Sequence, residues 1–482
     1  MKWKLIGALA GLLALGAGAA FLLSGPGRTR PSVVLIVIDS LRPDHLGCYG
    51  YHRDTSPGID RLAAEGTRFE TVTSSTSWTL PAHAALFTSL PDSVHGCRDT
   101  VFWLDKSRQT LAESFRDAGY ETVGFFAGPY LHPFFGLSQG FETYHDCTSY
   151  SDQAIGLLKG ELEANLTDLS IRDVTGPTTV REVEKWLKAH PRGPRLVFLH
   201  LWDVHFDYIP PPPYDRLYDS AYEGPVNGKG MARRMKQRPA DWTARDIEHL
   251  EALYDGEIRW TDANLEKILA HLAAHGMGPD NTIYCLTADH GEAFYEHGLF
   301  GHMQTLHEEE IRIPLIFHWP GKIAAGRVVS PPARIIDIAP TLLDLAGLPP
   351  MPQAVGRSLA PLLHGDPDIA WQEEPALAEL VELFKGEPGL HYLAVRTRRW
   401  KEITDYPNNR KLVYDMVRDP GEQIPLEPAD YPVPPAEIQD AYRAAVHALQ
   451  EWRRALSPLL KRDTPEITKM SLEMLKSLGY LK

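Results

Sequence analysis

The chain has 482 residues, 49 basic against 63 acidic, for a formal net charge of -14 and a hydrophobic fraction of 43%. That length allows a large core with a second, smaller globular part. The acidic balance argues against non-specific nucleic-acid binding, which needs Lys and Arg to meet phosphates. Four cysteines, Cys48, Cys97, Cys147 and Cys285, are too few and too scattered for a disulfide framework or a C-x-x-C zinc site. Cys285 lies in an apolar run and reads as a buried thiol, and the other three leave one disulfide open.

The N-terminus carries Met1-Lys2-Trp3-Lys4, an uncharged stretch over residues 5–24, and then Gly25-Pro26-Gly27-Arg28-Thr29-Arg30. A positive start, an apolar run and the small residues Ala17-Gly18-Ala19 fit a secretory signal, and a run of about 20 residues also suffices to cross a bilayer. Two basic residues on each flank leave its orientation open. Residues 1–30 are therefore expected to be a signal peptide or a retained membrane anchor, the anchor being favoured. Either places the remainder outside the cytoplasm, in a periplasm or at a cell surface.

Val33-Val34-Leu35-Ile36-Val37-Ile38 is a continuous apolar, mostly β-branched run, the pattern of a strand buried on both faces of a parallel sheet. It ends in Asp39, and in open α/β sheets ligands bind outside the carboxyl ends of strands. A turn or capping role is the simpler reading of one such Asp. Ser56-Pro57 and Gly66 bracket a short helix. A strand over residues 69–73 then leads to Ser77-Trp78-Thr79-Leu80-Pro81-Ala82-His83, followed by the apolar helical run Ala84-Ala85-Leu86-Phe87.

Pro81 suits a first helical turn, so Thr79 is expected at or just before a helix N-terminus. There its hydroxyl lies beside free backbone N–H groups and the positive end of the helix dipole, which favour an alkoxide and an anionic ester. A plain N-cap is the competing reading.

Alternation continues with helix and strand over 111–118 and 121–127, then 180–190 and 195–202, then 244–276 and 282–287, and a last strand over 313–318. Such alternation predicts an α/β fold with a mainly parallel sheet flanked by helices. The strand over 282–287 leads into Ala288-Asp289-His290-Gly291-Glu292, a second carboxylate at a strand end.

Asp39, Thr79, Asp289 and His290 together offer a divalent cation two carboxylates, an imidazole and a hydroxyl. Manganese or zinc suits that mix, with calcium or magnesium as the alternatives. A cation there would lower the pKa of Thr79. His200, His205, His297, His302 and His307 gather on loops and strand ends near this set, and at least two are expected to contact metal or anion.

A polar turn at 364–367 marks the expected end of the first domain, residues 31–370. Short strands and a helix over 435–456 give residues 371–482 the look of a smaller α+β subdomain with a helical tail.

In order along the chain, Asp39, the Thr79-Leu80-Pro81-Ala82-His83 helix start, Ala288-Asp289-His290-Gly291-Glu292, Gly356-Arg357-Ser358-Leu359 and Leu412-Val413-Tyr414-Asp415 with Asp419-Pro420 and Glu422 resemble the sulfatase family of the alkaline phosphatase superfamily. The resemblance implies a large α/β domain with a C-terminal α+β subdomain and a metal-dependent hydrolase of sulfate or phosphate esters. By resemblance Thr79 falls at the nucleophile, and Asp39, Asp289 and His290 at metal ligands. His83 falls at the motif's substrate-binding Arg, and His205 and His302 resemble groups that touch the anionic ester. Leaving-group protonation is expected from His205 or His302.

The chain departs from sulfatases proper at several positions. They use Cys or Ser, converted to formylglycine, where Thr79 stands. His83 replaces the motif Arg, Ser40 stands where many members carry a second Asp ligand, and Gly128-Pro129 lacks the Lys that often follows that Gly. These departures favour phosphoester over sulfate chemistry.

Three alternatives stay open. One is a transferase of phosphoglycerol or phosphoethanolamine type, and another a silent binder of anionic glycans. The third is a two-metal phosphatase using Asp203, His205 and His302. The oligomeric state is not legible.

Overall fold

The computed structural model describes residues 30–98, 103–148, 174–191, 193–231, 242–365, 370–384, 387–426 and 435–459. The segment read as a signal or anchor lies outside them up to residue 29. Among the described residues no helix is long and apolar enough to cross a membrane.

Eight strands form the central sheet: β1 Ser32–Ile38, β2 Thr67–Phe69, β3 Glu121–Phe126, β4 Thr143–Asp146, β5 Arg195–Leu201, β6 Thr282–Ala288, β7 Leu315–His318 and β8 Arg327–Val329. Their order is β8-β2-β7-β6-β1-β5-β3-β4. Parallel pairs join β1 to β5 and β6, β3 to β4 and β5, and β8 to β2, while β7 runs antiparallel to both β6 and β2. The sheet is thus mainly parallel, as the alternation predicts. All seven residues of β1, β5 and β6 are buried, which is why each reads as an almost unbroken apolar run.

Helices pack on the sheet: α1 Pro57–Glu65, α2 Thr79–Thr88, α3 Leu111–Asp117, α4 Gly176–Ala189, α5 Ala244–Ala274 and α6 Ile338–Leu345. Helices α3 and α5 both start with a capping box, from Thr110 with Glu113 and from Thr243 with Asp246. The tenth and last residue of α2 is as buried as its first, since the helix lies between the sheet and the segments that follow it. The region read as one strand over 69–73 is two short ones. β2 belongs to the central sheet, and Val72–Thr73 pairs separately with Ala333–Arg334.

A second, antiparallel sheet is built from β9 Ala376–Phe384, β10 Glu387–Arg396, β11 Trp400–Asp405 and β12 Arg410–Asp415, in that order, and α7 Ala436–Leu456 packs against it. This is the expected smaller α+β part, with β9 as a strand that the sequence pattern does not announce. Buried ion pairs tie it to the central layer. The Lys401 ammonium lies 3.1 Å from Glu308 and 2.8 Å from Glu422, and it is fully buried. All four cysteines remain thiols, so the disulfide left open by the sequence does not form.

Candidate active site

Three adjacent strands deliver most of the site. In register, Ile38 of β1 is level with Leu201 of β5 and Ala288 of β6, so Asp39 emerges between Trp202 and Asp289 at the carboxyl edge. Helix α2 covers that edge. Its Phe87 and His83 pack against Phe198 of β5 with ring centroids 4.9 and 5.9 Å apart, and His83 lies 5.0 Å from His200. This packing sets Thr79, the first residue of α2, over the strand ends. Trp78 before it is extended and makes no side-chain cap, so the plain N-cap reading of Thr79 does not apply.

Thr79 Oγ1 stands 3.4 Å from Asp39 Oδ2 and 3.3 Å from His290 Nε2. His290 Nε2 is in turn 3.5 Å from Asp289 Oδ2 and 3.8 Å from Asp39 Oδ1. Asp39, Asp289 and His290 are fully buried, and their ligand atoms form one of the candidate metal-holding groups. Ser40 adopts a left-handed conformation, φ 55°, that turns it back onto the pair. Its hydroxyl donates to Asp39 Oδ1 at 2.8 Å and its N–H to Asp289 Oδ1 at 3.2 Å. Asp289 Oδ2 has no hydrogen-bond partner. An acceptor buried without a donor carries a desolvation cost that a cation would remove, so the donor set fits a divalent ion.

The electrostatics follow from two carboxylates in one dry space. Burial opposes ionisation of both carboxylates in the usual carboxylate range. Burial and the Asp39 charge push Asp289 well above it.

The histidines share one design. The Nδ1 of His83 faces the Thr79 carbonyl at 2.9 Å, that of His200 the Ala127 carbonyl at 2.8 Å, and that of His205 the Phe206 carbonyl at 2.5 Å. His290 Nδ1 faces the Gly291 carbonyl at 2.8 Å, and His302 Nδ1 the Glu292 carboxylate at 2.8 Å. A carbonyl only accepts, so in the first four rings the proton sits on Nδ1 and Nε2 is left for the site. The His205 and His302 rings are 5.0 Å apart, and His302 lies 4.4 Å from His290. Burial lowers His83 to about 3 and His205 to about 4, and with the nearby His290 it takes His302 well down.

The structure therefore brings Asp39, Thr79, Asp289 and His290 together, with His205 and His302 beside them. His83 reaches the site from beneath, fully buried, its Nδ1 3.7 Å from Asp289 Oδ2. Asp203 does not join the others. Its carboxylate accepts from the Thr175 N–H and hydroxyl at 2.6 and 2.7 Å, and from the Gly176 N–H and Trp260 Nε1 at 2.9 Å, so it caps α4 and has no free oxygen for a second metal.

Three contributors were given no role from sequence. Glu292, fully buried and pushed up to about 7 by burial, fixes the His302 ring; its sequence signal was its place two residues after His290. Trp202 stacks on His205 with centroids 4.1 Å apart and planes 19° apart. Gly128 makes room for that indole, since a Cβ there would stand 2.0 Å from the ring.

Comparison with known proteins bears on this geometry. The sulfatase family model matches residues 31–348, and the model for the C-terminal part of N-sulphoglucosamine sulphohydrolase matches residues 295–430. Human N-acetylgalactosamine-6-sulfatase is 26% identical, covering 89% of this chain and 86% of that enzyme. N-acetylglucosamine-6-O-sulfatase of Bacteroides thetaiotaomicron is 24% identical over 82% of each. Among solved structures, the phosphonate monoester hydrolase of Agrobacterium radiobacter shares the fold with a TM-score of 0.70 at 22% identity, covering 88% of this chain and 96% of that one. The match over most of the chain, on a sheet whose central strands carry the buried Asp39 and Asp289, places this chain in the sulfatase family, as a hydrolase of sulfuric or phosphoric esters.

Proposed function

We propose that this chain is a metal-dependent hydrolase in which Thr79 is the nucleophile, with a phosphate or phosphonate ester favoured over a sulfate ester as substrate. One observation carries the reading: the Thr79 hydroxyl sits at the start of α2 within 3.4 Å of Asp39 and 3.3 Å of His290. Asp39, Thr79, Asp289 and His290 would hold the cation, with zinc or manganese suiting the nitrogen and oxygen donors. When bound, that cation supplies Lewis-acid stabilisation of developing charge and lowers the pKa of the threonine hydroxyl.

The residues of the chain do the rest. Asp39 accepts from the Thr79 hydroxyl and orients it for in-line attack on phosphorus. Asp39 Oδ2 takes up the hydroxyl proton as the O–P bond forms and returns it to Thr79 when the intermediate is resolved, while the ester oxygen departs on the far side. Helix α2 presents its first backbone N–H groups and dipole to the anionic centre. His205 and His302, neutral in the dry pocket, gain proton affinity when an anion enters, so either ring can carry a proton on Nε2 and pass it to the leaving group. Water then resolves the phosphothreonine, with the same ring as base. His83 donates to the Thr79 carbonyl and steadies the first turn of α2. The N-terminal sequence supports export, by signal or anchor, to where anionic ester substrates outside the cytoplasm are met.

Turnover of matched aryl sulfate, phosphate monoester, phosphate diester and phosphonate ester, with zinc or manganese, tests this. The expected result is preference for a phosphorus ester that disappears in Thr79→Ala with metal content retained. Preference for the sulfate ester, or unchanged turnover in the variant, contradicts it.

A further inference from the structure

His200 lies in β5, level with Val37 of β1, and is fully buried. Its Nδ1 faces the Ala127 carbonyl at 2.8 Å, and since that oxygen only accepts, Nδ1 carries the proton. Nε2 then points at Asp39 Oδ2, 3.3 Å away, without hydrogen-bond alignment, and it has no hydrogen-bond partner. Two acceptor atoms buried this close repel one another unless a proton or a metal ion lies between them, and counting imidazoles at a bound metal tells the two apart.

The surrounding atoms are spaced for such an ion. Asp39 Oδ2 is 3.4 Å from Thr79 Oγ1, Thr79 Oγ1 is 3.3 Å from His290 Nε2, and His290 Nε2 is 3.5 Å from Asp289 Oδ2. Neighbouring ligands about 2.1 Å from a four- or five-coordinate ion stand about 3.0 to 3.4 Å apart. His200 also belongs, with His83 and Asp289, to a candidate metal-holding group whose ligand atoms all lie within 4.8 Å of one another, separate from the Asp39, Asp289 and His290 group and joined to it through Asp289. In that group the His83 nitrogen nearest Asp289 is Nδ1, and it is committed as a donor to the Thr79 carbonyl. The Nε2 atoms of His83 and His200 both lack a hydrogen-bond partner, and that of His200 lies 3.3 Å from Asp39 Oδ2.

We propose that His200 is a direct ligand, through Nε2, of the cation held at Asp39, Thr79, Asp289 and His290. The site then has two imidazoles and selects a borderline ion such as zinc or cobalt over calcium. The inference rests on the cation site of the proposed function and adds a ligand to it. It also explains why Ser40 suffices after Asp39: the serine hydroxyl orients Asp39 by a hydrogen bond, and an imidazole from the neighbouring strand supplies the further donor. Oxygen-preferring ions gain little from an added nitrogen donor, whereas zinc and cobalt gain much.

X-ray absorption of the full chain loaded with one equivalent of zinc counts imidazoles at the metal without any substitution. Two are expected, and a single one overturns the inference. Cobalt(II) titration, followed by visible absorption and calorimetry, extends the test. His200→Gln, folded by circular dichroism, should bind cobalt more weakly by more than the roughly hundredfold that an outer-shell partner can account for, with an altered spectrum. Its calcium affinity should barely move, and Asp289→Ala should lose both ions. Unchanged cobalt affinity and spectrum in His200→Gln, with loss in Asp289→Ala, overturns the ligand assignment and leaves the Thr79 reading standing. Zinc binding that Asp289→Ala does not disturb overturns both.

Discussion

The chemistry of this site rests on which nitrogen of each histidine is spent on the scaffold. Four backbone carbonyls and the Glu292 carboxylate each occupy an Nδ1, so the imidazoles are oriented by the chain rather than by their substrate. Glu292 is the single side chain in that role, and it orients His302 without touching the site itself. Glu292→Gln keeps the shape but offers His302 Nδ1 an amide, whose orientation can pair with the wrong tautomer. We expect kcat/KM to fall by roughly ten- to a hundredfold with bound metal unchanged, read by steady-state kinetics beside elemental analysis. An equal loss of metal would mean that Glu292 acts on the cation site instead. From sequence, Asp39, Thr79, Asp289 and His290 were legible because each lies at the end of a strand or the start of a helix whose pattern is unambiguous. The partner of a ring nitrogen has no sequence signature, and the roles of Glu292, Trp202 and Gly128 became visible only with the geometry.

At the scale of elements, β1, β5 and β6 were legible as apolar runs because they are buried on both faces. The reversal of β7 was not, since a buried strand carries the same residues whichever way it runs. Strand β9 begins Ala376-Leu377-Ala378-Glu379-Leu380, residues that favour a helix in isolation. Its pairing with β10 and the bond from the Glu379 N–H to the Ser75 carbonyl at 2.7 Å override that preference. The turn after β3 is where an element meets the site. Gly128 has φ 84°, a conformation a side chain resists, and it also gives Trp202 its space. Gly128→Ala would displace the indole and with it the stacked His205. The expectation is a stability loss of about 1–3 kcal/mol together with a fall in kcat of tenfold or more. Urea unfolding and kinetics on one preparation check this, and a stability loss without a kinetic effect would show that Trp202 does not position His205.

The whole molecule is held across its two layers by charge as well as by apolar packing. His297 donates from Nδ1 to Glu309 at 2.6 Å and from Nε2 to the Glu422 carbonyl at 2.8 Å, which requires both nitrogens to be protonated. Burial opposes that charge, but the Glu309 bond and the Glu309 and Glu422 charges outweigh it and raise His297 from 6.5 to about 9. Around it, His307 stacks with centroids 3.7 Å apart, and burial, Lys401 and His297 hold His307 down at about 2. A histidine raised on folding contributes stability in full below 6.5 and loses it as pH rises through about 9. Unfolding free energy should therefore fall over that window by on the order of 2 kcal/mol, and His297→Gln should flatten the fall. A wild-type profile already flat there would show that His297 is not charged in the folded state. The order of the α/β part and the α+β part was legible from the change of pattern near residue 370. The joint between them was not, because it depends on residues far apart in sequence, such as His297, Glu308, Lys401 and Glu422.

The central claim is that Thr79 forms the covalent bond to the substrate. Acid quenching during turnover of a phosphate or phosphonate ester, followed by peptide mass spectrometry, tests it most directly. The account predicts a phosphoryl or phosphonyl group on Thr79, absent from Thr79→Ala. Turnover that proceeds with the group on another residue, or that survives in Thr79→Ala, would contradict it.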